Sequence, residues 1–408
     1  MRSKKIHKML KINTLHTFFR SVLGARTGLF ALAILLLMSC SAEKTPEKAA
    51  QSCGELPPLE YAKNLKIGDS CGVQMAEFRS TVGRDTLIRR FRRAAPLSKV
   101  VALSSAQIGY MLRLGEQGRI VAVGDGKYIA DSALYQNVAA GAVAQVGSGP
   151  TLSLEKLMEL QPQLVMSFAT GGGQDDYERI EALGLPLMLT SEWQEEHPLA
   201  KAEWIKLYGM LFGMESRADS VFEQIKKNYV AIANGGVAGV SPARGGSEQQ
   251  RASEGDSCPR VLVGMSYGGT WYAPGGNSYT AQLIKDAGGC YLWADTEERE
   301  LRLPLEQVIA LADSADIWIN PGMFSTANEV LAAEPRAARI KAFQEKRVYQ
   351  NDNRKGPGGG NDFYESAVTY PEELLKEMSQ IFGQNADNGK NAPPDTAQPR
   401  WYRNIFNF

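Results

Sequence analysis

The sequence predicts an α/β protein of two similar lobes with a ligand cleft between them, and three observations predict it. Leu152-Ser153-Leu154-Glu155-Lys156-Leu157-Met158-Glu159-Leu160 is echoed by Leu303-Pro304-Leu305-Glu306-Gln307-Val308-Ile309-Ala310-Leu311. Each copy opens on a helix-start residue, places a Glu in the first turn, keeps an apolar stripe at helical spacing and runs on into a short apolar strand. From Lys99 onward, apolar runs alternate with helical patterns, which predicts a mostly parallel sheet. At 408 residues the chain exceeds one ordinary core. Clefts between domains are where small ligands bind.

The elements follow in order. Residues 1–39 carry seven bases and no acid and lead into the apolar run Leu29–Met38, a signal-peptide pattern too short to span a bilayer comfortably. The run stops at Leu37-Met38-Ser39-Cys40, which resembles a bacterial lipobox; Cys40 would be lipidated and become the mature N-terminus. A plain secretory signal with an incidental Cys is the weaker reading. Residues 40–57 read as a tether and 58–95 as short antiparallel strands. Residues 96–198 form the first lobe, with strands at 100–103, 120–123, 164–168 and 186–190. A helix over 199–230 joins the lobes. Residues 231–257 are Gly, Ser, Glu and Arg rich and read as a disordered insertion. The second lobe, 258–383, repeats the plan with strands at 261–263, 317–319 and 347–350. Residues 384–408 read as a tail, and the pattern gives its aromatic ending no role.

Charge and cysteines narrow the setting. Bases and acids number 45 each, so removing the seven leader bases leaves 38 against 45, a net charge near −7. That argues against nucleic acid as a partner. Setting Cys40 aside leaves Cys53, Cys71, Cys258 and Cys290, an even count that fits two disulfides in an oxidising compartment. Cys53–Cys71 and Cys258–Cys290 are the local pairings; the other two connectivities stay open, as do buried free thiols.

Pro96 to Ser104, Leu114-Gly115, Arg119 to Val123, Val146-Gly147, the Ser153-Leu154-Glu155 helix and Gln161-Pro162-Gln163-Leu164-Val165 together resemble the extracytoplasmic substrate-binding proteins of ABC importers for iron chelates, haem and cobalamin. Leu283-Ile284 through Gly289 and Leu305 to Val308 fit as well. The resemblance implies two Rossmann-like lobes joined by one long rigid helix, and an ABC permease with its ATPase as partners. It also implies a monomer at the periplasmic face of a bacterial membrane. It gives Glu155 and Glu306 a role as docking carboxylates, one per lobe, facing arginines of the permease. Without it, both residues read as first-turn acids that favour the helix dipole.

Ligand residues are sought at the C-terminal ends of strands, where open α/β sheets bind. Tyr267, Trp271 and Tyr272 follow the first strand of lobe two among glycines and offer flat apolar faces with polar tips. Trp271 also reads as a core aromatic. Opposite stand Ser104, Ser105 and Gln107, then Tyr128, Phe168 and Trp193. Arg354, in a glycine-rich loop, reads equally as a partner for a ligand carboxylate or phosphate and as a solvated loop charge. That loop lacks the context and ending of a nucleotide loop. Only His197 lies outside the leader, so direct capture of a bare transition metal is disfavoured and a chelate or macrocycle is expected. No resident metal or cofactor is expected. No nucleophile elbow accompanies His197, which argues against an enzyme. A siderophore or haem is favoured over cobalamin, and a permease-independent surface scavenger or an extracytoplasmic enzyme on this fold are the readings of other classes.

Overall fold

The computed structural model describes residues 54–172, 175–235, 258–383 and 400–407. The signal, Cys40, most of the tether with Cys53, residues 236–257 of the insertion and 384–399 of the tail lie outside the described residues.

An antiparallel meander comes first: β1 (Leu65–Ser70), β2 (Val73–Val82) and β3 (Asp85–Arg93). Its inner face packs on the joining segment that follows lobe one, with the Phe78 ring 6.1 Å from that of Trp204.

Lobe one is a parallel sheet of β4 (Val100–Ala102), β5 (Ile120–Val123), β6 (Ala144–Gln145), β7 (Leu164–Ser167) and β8 (Leu187–Leu189), in the order β6-β5-β4-β7-β8. Its strands are nearly all apolar because helices cover both faces. The helices are α1 (Ser105–Leu114), α2 (Ser132–Ala139), α3 (Leu154–Leu160) and α4 (Tyr177–Ala182). Ser104 caps α1 in a capping box with Gln107, so this pair builds the turn after β4.

The expected single helix over 199–230 is three: α5 (Pro198–Glu203), α6 (Ile205–Phe212) and α7 (Glu215–Ala233). Gly213 takes φ 74° and ends α6, which the apolar periodicity running through it concealed. The long member, α7, packs on α6 and on the last helix of lobe two. His197 caps α5, its Nδ1 accepting the Leu199 N–H at 3.0 Å.

Lobe two centres on β9 (Arg260–Val263), with β10 (Met265–Tyr267), β11 (Thr270–Pro274), α8 (Tyr279–Asp286), β12 (Cys290–Tyr291), β13 (Glu300–Pro304), α9 (Leu305–Ala312) and β14 (Ile317–Ile319). There follow α10 (Ala327–Ala333), α11 (Lys341–Gln344), β15 (Val348–Gln350), α12 (Asp362–Ser366), α13 (Pro371–Gly383) and β16 (Arg403–Asn404). The main sheet runs β12-β9-β14-β15-β16, and β10-β11-β13 form a separate antiparallel sheet that the sequence reading did not anticipate. The repeat is structural: α3 feeds β7 beside β4, and α9 feeds β14 beside β9. Cys258 and Cys290 are disulfide-bonded with Cα atoms 5.5 Å apart, tying β9 to β12. Cys71 is also disulfide-bonded.

The tail assignment for 384–408 is corrected at its end. Residues 403–404 pair antiparallel with β15, and Trp401, Tyr402 and Ile405 are buried in the core. The Glu377 carboxylate accepts the Trp401 and Tyr402 N–H groups. An apolar ending of an otherwise polar segment is the sequence trace of this returning strand.

Candidate functional site

In both lobes chain order reverses beside the first strand, between β4 and β7 and between β9 and β14. Loops leaving the C-terminal ends at such a point form a crevice. The two crevices meet: the lobe-two loop Gly356–Gly360 lies on the lobe-one loop Lys127–Ala130. A Cβ on Gly356 or Gly360 would strike Ile129 or Tyr128 backbone, and one on Gly358 would stand 2.6 Å from the Tyr135 ring. The carboxylate of Glu365, on α12, accepts the Ala130 and Asp131 N–H groups at 2.8 Å each, across the lobes. Burial pushes that carboxyl up to about 7. Arg299 of lobe two donates to the Gln194 carbonyl at 2.5 Å.

Large aromatics exposed among the described residues are Tyr128, Phe168, Trp193, Tyr267, Tyr272 and Tyr364. Tyr128, Phe168 and Trp193 follow the C-terminal ends of β5, β7 and β8 in lobe one; Tyr267 and Tyr272 lie on the β10–β11 hairpin that follows β9, and Tyr364 lies on α12, after β15. Lys127 Nζ sits 4.9 Å from the Tyr128 ring centre. Tyr267 stacks on Phe324 at 6.3 Å and tilts against Tyr272 at 6.2 Å.

Trp271 is corrected. It is 0% exposed, donates Nε1–H to the Val263 carbonyl at 2.9 Å and packs 5.5 Å from Trp318. Adjacent residues of a strand face opposite ways. With Tyr272 turned outward on β11, Trp271 has to enter the core, and that alternation was readable in the sequence. Arg354 lies 3.6 Å from Asp362 and is half-exposed. Met323, 82% exposed, was missed. It follows β14 at the switch point through Asn320-Pro321-Gly322, a turn signal that marks the place.

At the floor between the lobes, Lys201 Nζ lies 3.9 Å above the Tyr279 ring, and burial pushes its ammonium down to about 8. Glu192 is buried, its pKa raised by that burial, and its Oε2 lacks a hydrogen-bond partner among the described residues. The same residues contain no His, Cys, Asp and Glu group able to hold a metal ion.

Glu155 and Glu306 are both exposed, in the first turns of α3 and α9. Glu306 pairs with Arg336 at 3.0 Å. A shallow depression beside it is lined by Ile309, Ala310, Asp313 and Arg339.

A model of the periplasmic binding protein family matches residues 100–235 and 248–354. The chain belongs to this family. Solved members share the fold: a periplasmic binding protein of Veillonella parvula has a TM-score of 0.52 at 15% identity, covering 76% of this chain and 98% of its own. A periplasmic haem-binding protein of Pseudomonas aeruginosa has a TM-score of 0.52 at 18% identity, covering 71% and 94%. An ABC-type Fe3+-hydroxamate transport protein of Saccharomonospora viridis has a TM-score of 0.51 at 20% identity, covering 75% and 99%. By sequence the chain is 22% identical over 307 residues to an uncharacterized lipoprotein of Methanocaldococcus jannaschii, covering 72% of this chain and 67% of that one. The two-lobed, helix-joined α/β fold is thereby established, with α7 as the long helix.

Proposed function

We propose that the protein is the extracytoplasmic substrate-binding lipoprotein of an ABC importer and captures an iron chelate, a siderophore or haem, for delivery to the permease. What supports the reading is that the exposed aromatics Tyr128, Phe168, Trp193, Tyr267 and Tyr272 all fall in segments that follow the C-terminal ends of the parallel strands β5, β7, β8 and β9, where they would wall a ligand. Such walls suit a flat or apolar-skirted chelate, and the metal stays inside the ligand rather than on protein imidazoles. Tyr128, Tyr267 and Tyr272 each present a phenol that could ligate haem iron. Arg354, held near Asp362, remains exposed enough to meet a ligand carboxylate. Glu155 and Glu306, one at each lobe's repeated helix, supply the docking charges, and Cys40 supplies the anchor.

The test is a titration of the purified protein with haemin and with ferrioxamine B, followed by absorbance and tryptophan emission. Saturable binding of either probe in the micromolar range or tighter is the expected result. No binding of either, together with a copurifying ligand that contains no iron, would overturn the reading.

A further inference from the structure

The meander β1–β3 lies outside the residues matched by the family model, yet it is built into the two lobe-one loops that carry Phe168 and Trp193. Gln194 clamps Thr81 from both sides: its Oε1 accepts the Thr81 N–H at 2.8 Å and its Nε2 donates to the Thr81 carbonyl at 2.7 Å. Ser191 Oγ donates to the Arg79 carbonyl at 2.7 Å. The Glu195 carboxylate accepts the Lys63 and Asn64 N–H groups, at 3.1 and 2.9 Å, and the Trp204 indole N–H at 3.1 Å. The turn of the β2–β3 hairpin abuts the other loop so closely that a Cβ on Gly171 would stand 2.5 Å from the Gly83 nitrogen. Trp193 therefore projects from a segment whose flanking residues, Glu192 and Gln194, are buried, with Gln194 held by Thr81.

We propose that the meander is a working part of the ligand site: by clamping Gln194 and abutting Gly171 it fixes Trp193 and Phe168 as the lobe-one wall against which the ligand packs. Ser191 and Gln194 are positioning residues. The inference rests on the ligand-binding reading above. Its physical basis is preorganisation, since an aromatic wall ordered before binding spares the complex the entropy of ordering it.

The chain has six tryptophans, and Trp193 alone is exposed while the other five are buried. Acrylamide quenching thus reports on Trp193 without any ligand, and Trp193→Phe assigns the signal. Gln194→Ala and Gly171→Ala, the second forcing the hairpin turn away, are measured well below each variant's own melting temperature. Both are expected to change the quenching constant about twofold and to weaken haemin or ferrioxamine B binding about tenfold, with lobe-two Tyr272→Ala leaving quenching unchanged. Wild-type quenching and wild-type affinity in both variants would overturn the proposal. Where neither probe binds the wild-type protein and the copurifying ligand contains no iron, the ligand reading fails separately, and the quenching comparison still decides whether the meander positions Trp193.

Discussion

Trp271 and Tyr272 are neighbours in sequence and opposites in role. Trp271 fills the space between two sheets of lobe two against Trp318, whereas Tyr272 faces solvent beside Tyr267. Trp271→Ala is accordingly expected to cost about 3–5 kcal/mol of stability by denaturant unfolding. Tyr272→Ala, on an exposed side chain, is expected to leave stability within about 0.5 kcal/mol and to weaken probe binding about tenfold, read by titration. Glu365 makes a pH prediction. Its folded-state pKa, about 7, stands above the ordinary glutamate value of 4.5. The native state thus holds its proton longer than the unfolded chain. The associated stability is full below about 4.5 and is lost as pH rises through about 7, a change of about 1–3 kcal/mol. Glu192, Glu195, Glu372 and Glu377 are raised by burial in the same direction, while Asp316, Asp352 and Glu334 are lowered and oppose them. Subtracting the Glu365→Gln unfolding curve from the wild-type one, pH by pH between 4 and 8, isolates the Glu365 part. A flat difference would refute it.

Element by element, the sequence reading recovered the longer parallel strands closely, because helix-covered strands read as short apolar runs, while the two-residue edge strands β6 and β12 went unread. β5 was read at its full extent, and β4, β7, β8, β9 and β15 to within one or two residues. The β10–β11 hairpin carries a local signal, the two-residue Gly268-Gly269 turn with both φ positive, whereas the β11–β13 pairing was hidden because it joins segments separated by α8 and β12. The returning strand β16 was hidden for the same reason. Ending the chain at residue 399 would expose the β15 edge and remove buried Trp401, Tyr402 and Ile405. That loss of three large apolar side chains is worth about 4 kcal/mol or more. A lowered melting temperature with increased light scattering is the expected outcome.

For the whole molecule, the two copies of one helix place Glu155 and Glu306 at equivalent positions of the two lobes. If these carboxylates dock the permease, Glu155→Arg together with Glu306→Arg abolishes uptake in whole cells while the purified variant keeps its ligand affinity. Intact uptake would exclude the role. Glu306→Arg also breaks the exposed pair with Arg336, which costs about 1 kcal/mol or less and leaves folding intact.

The sequence by itself determined the two-lobed α/β plan and the duplication, because apolar periodicity is a local property. It could not determine that β16 completes the second sheet, that β13 pairs with β11, or that Gln194 and Glu365 tie loops together. Those depend on side chains and backbone amides brought together from distant parts of the chain, and only the packed tertiary structure sets such pairings.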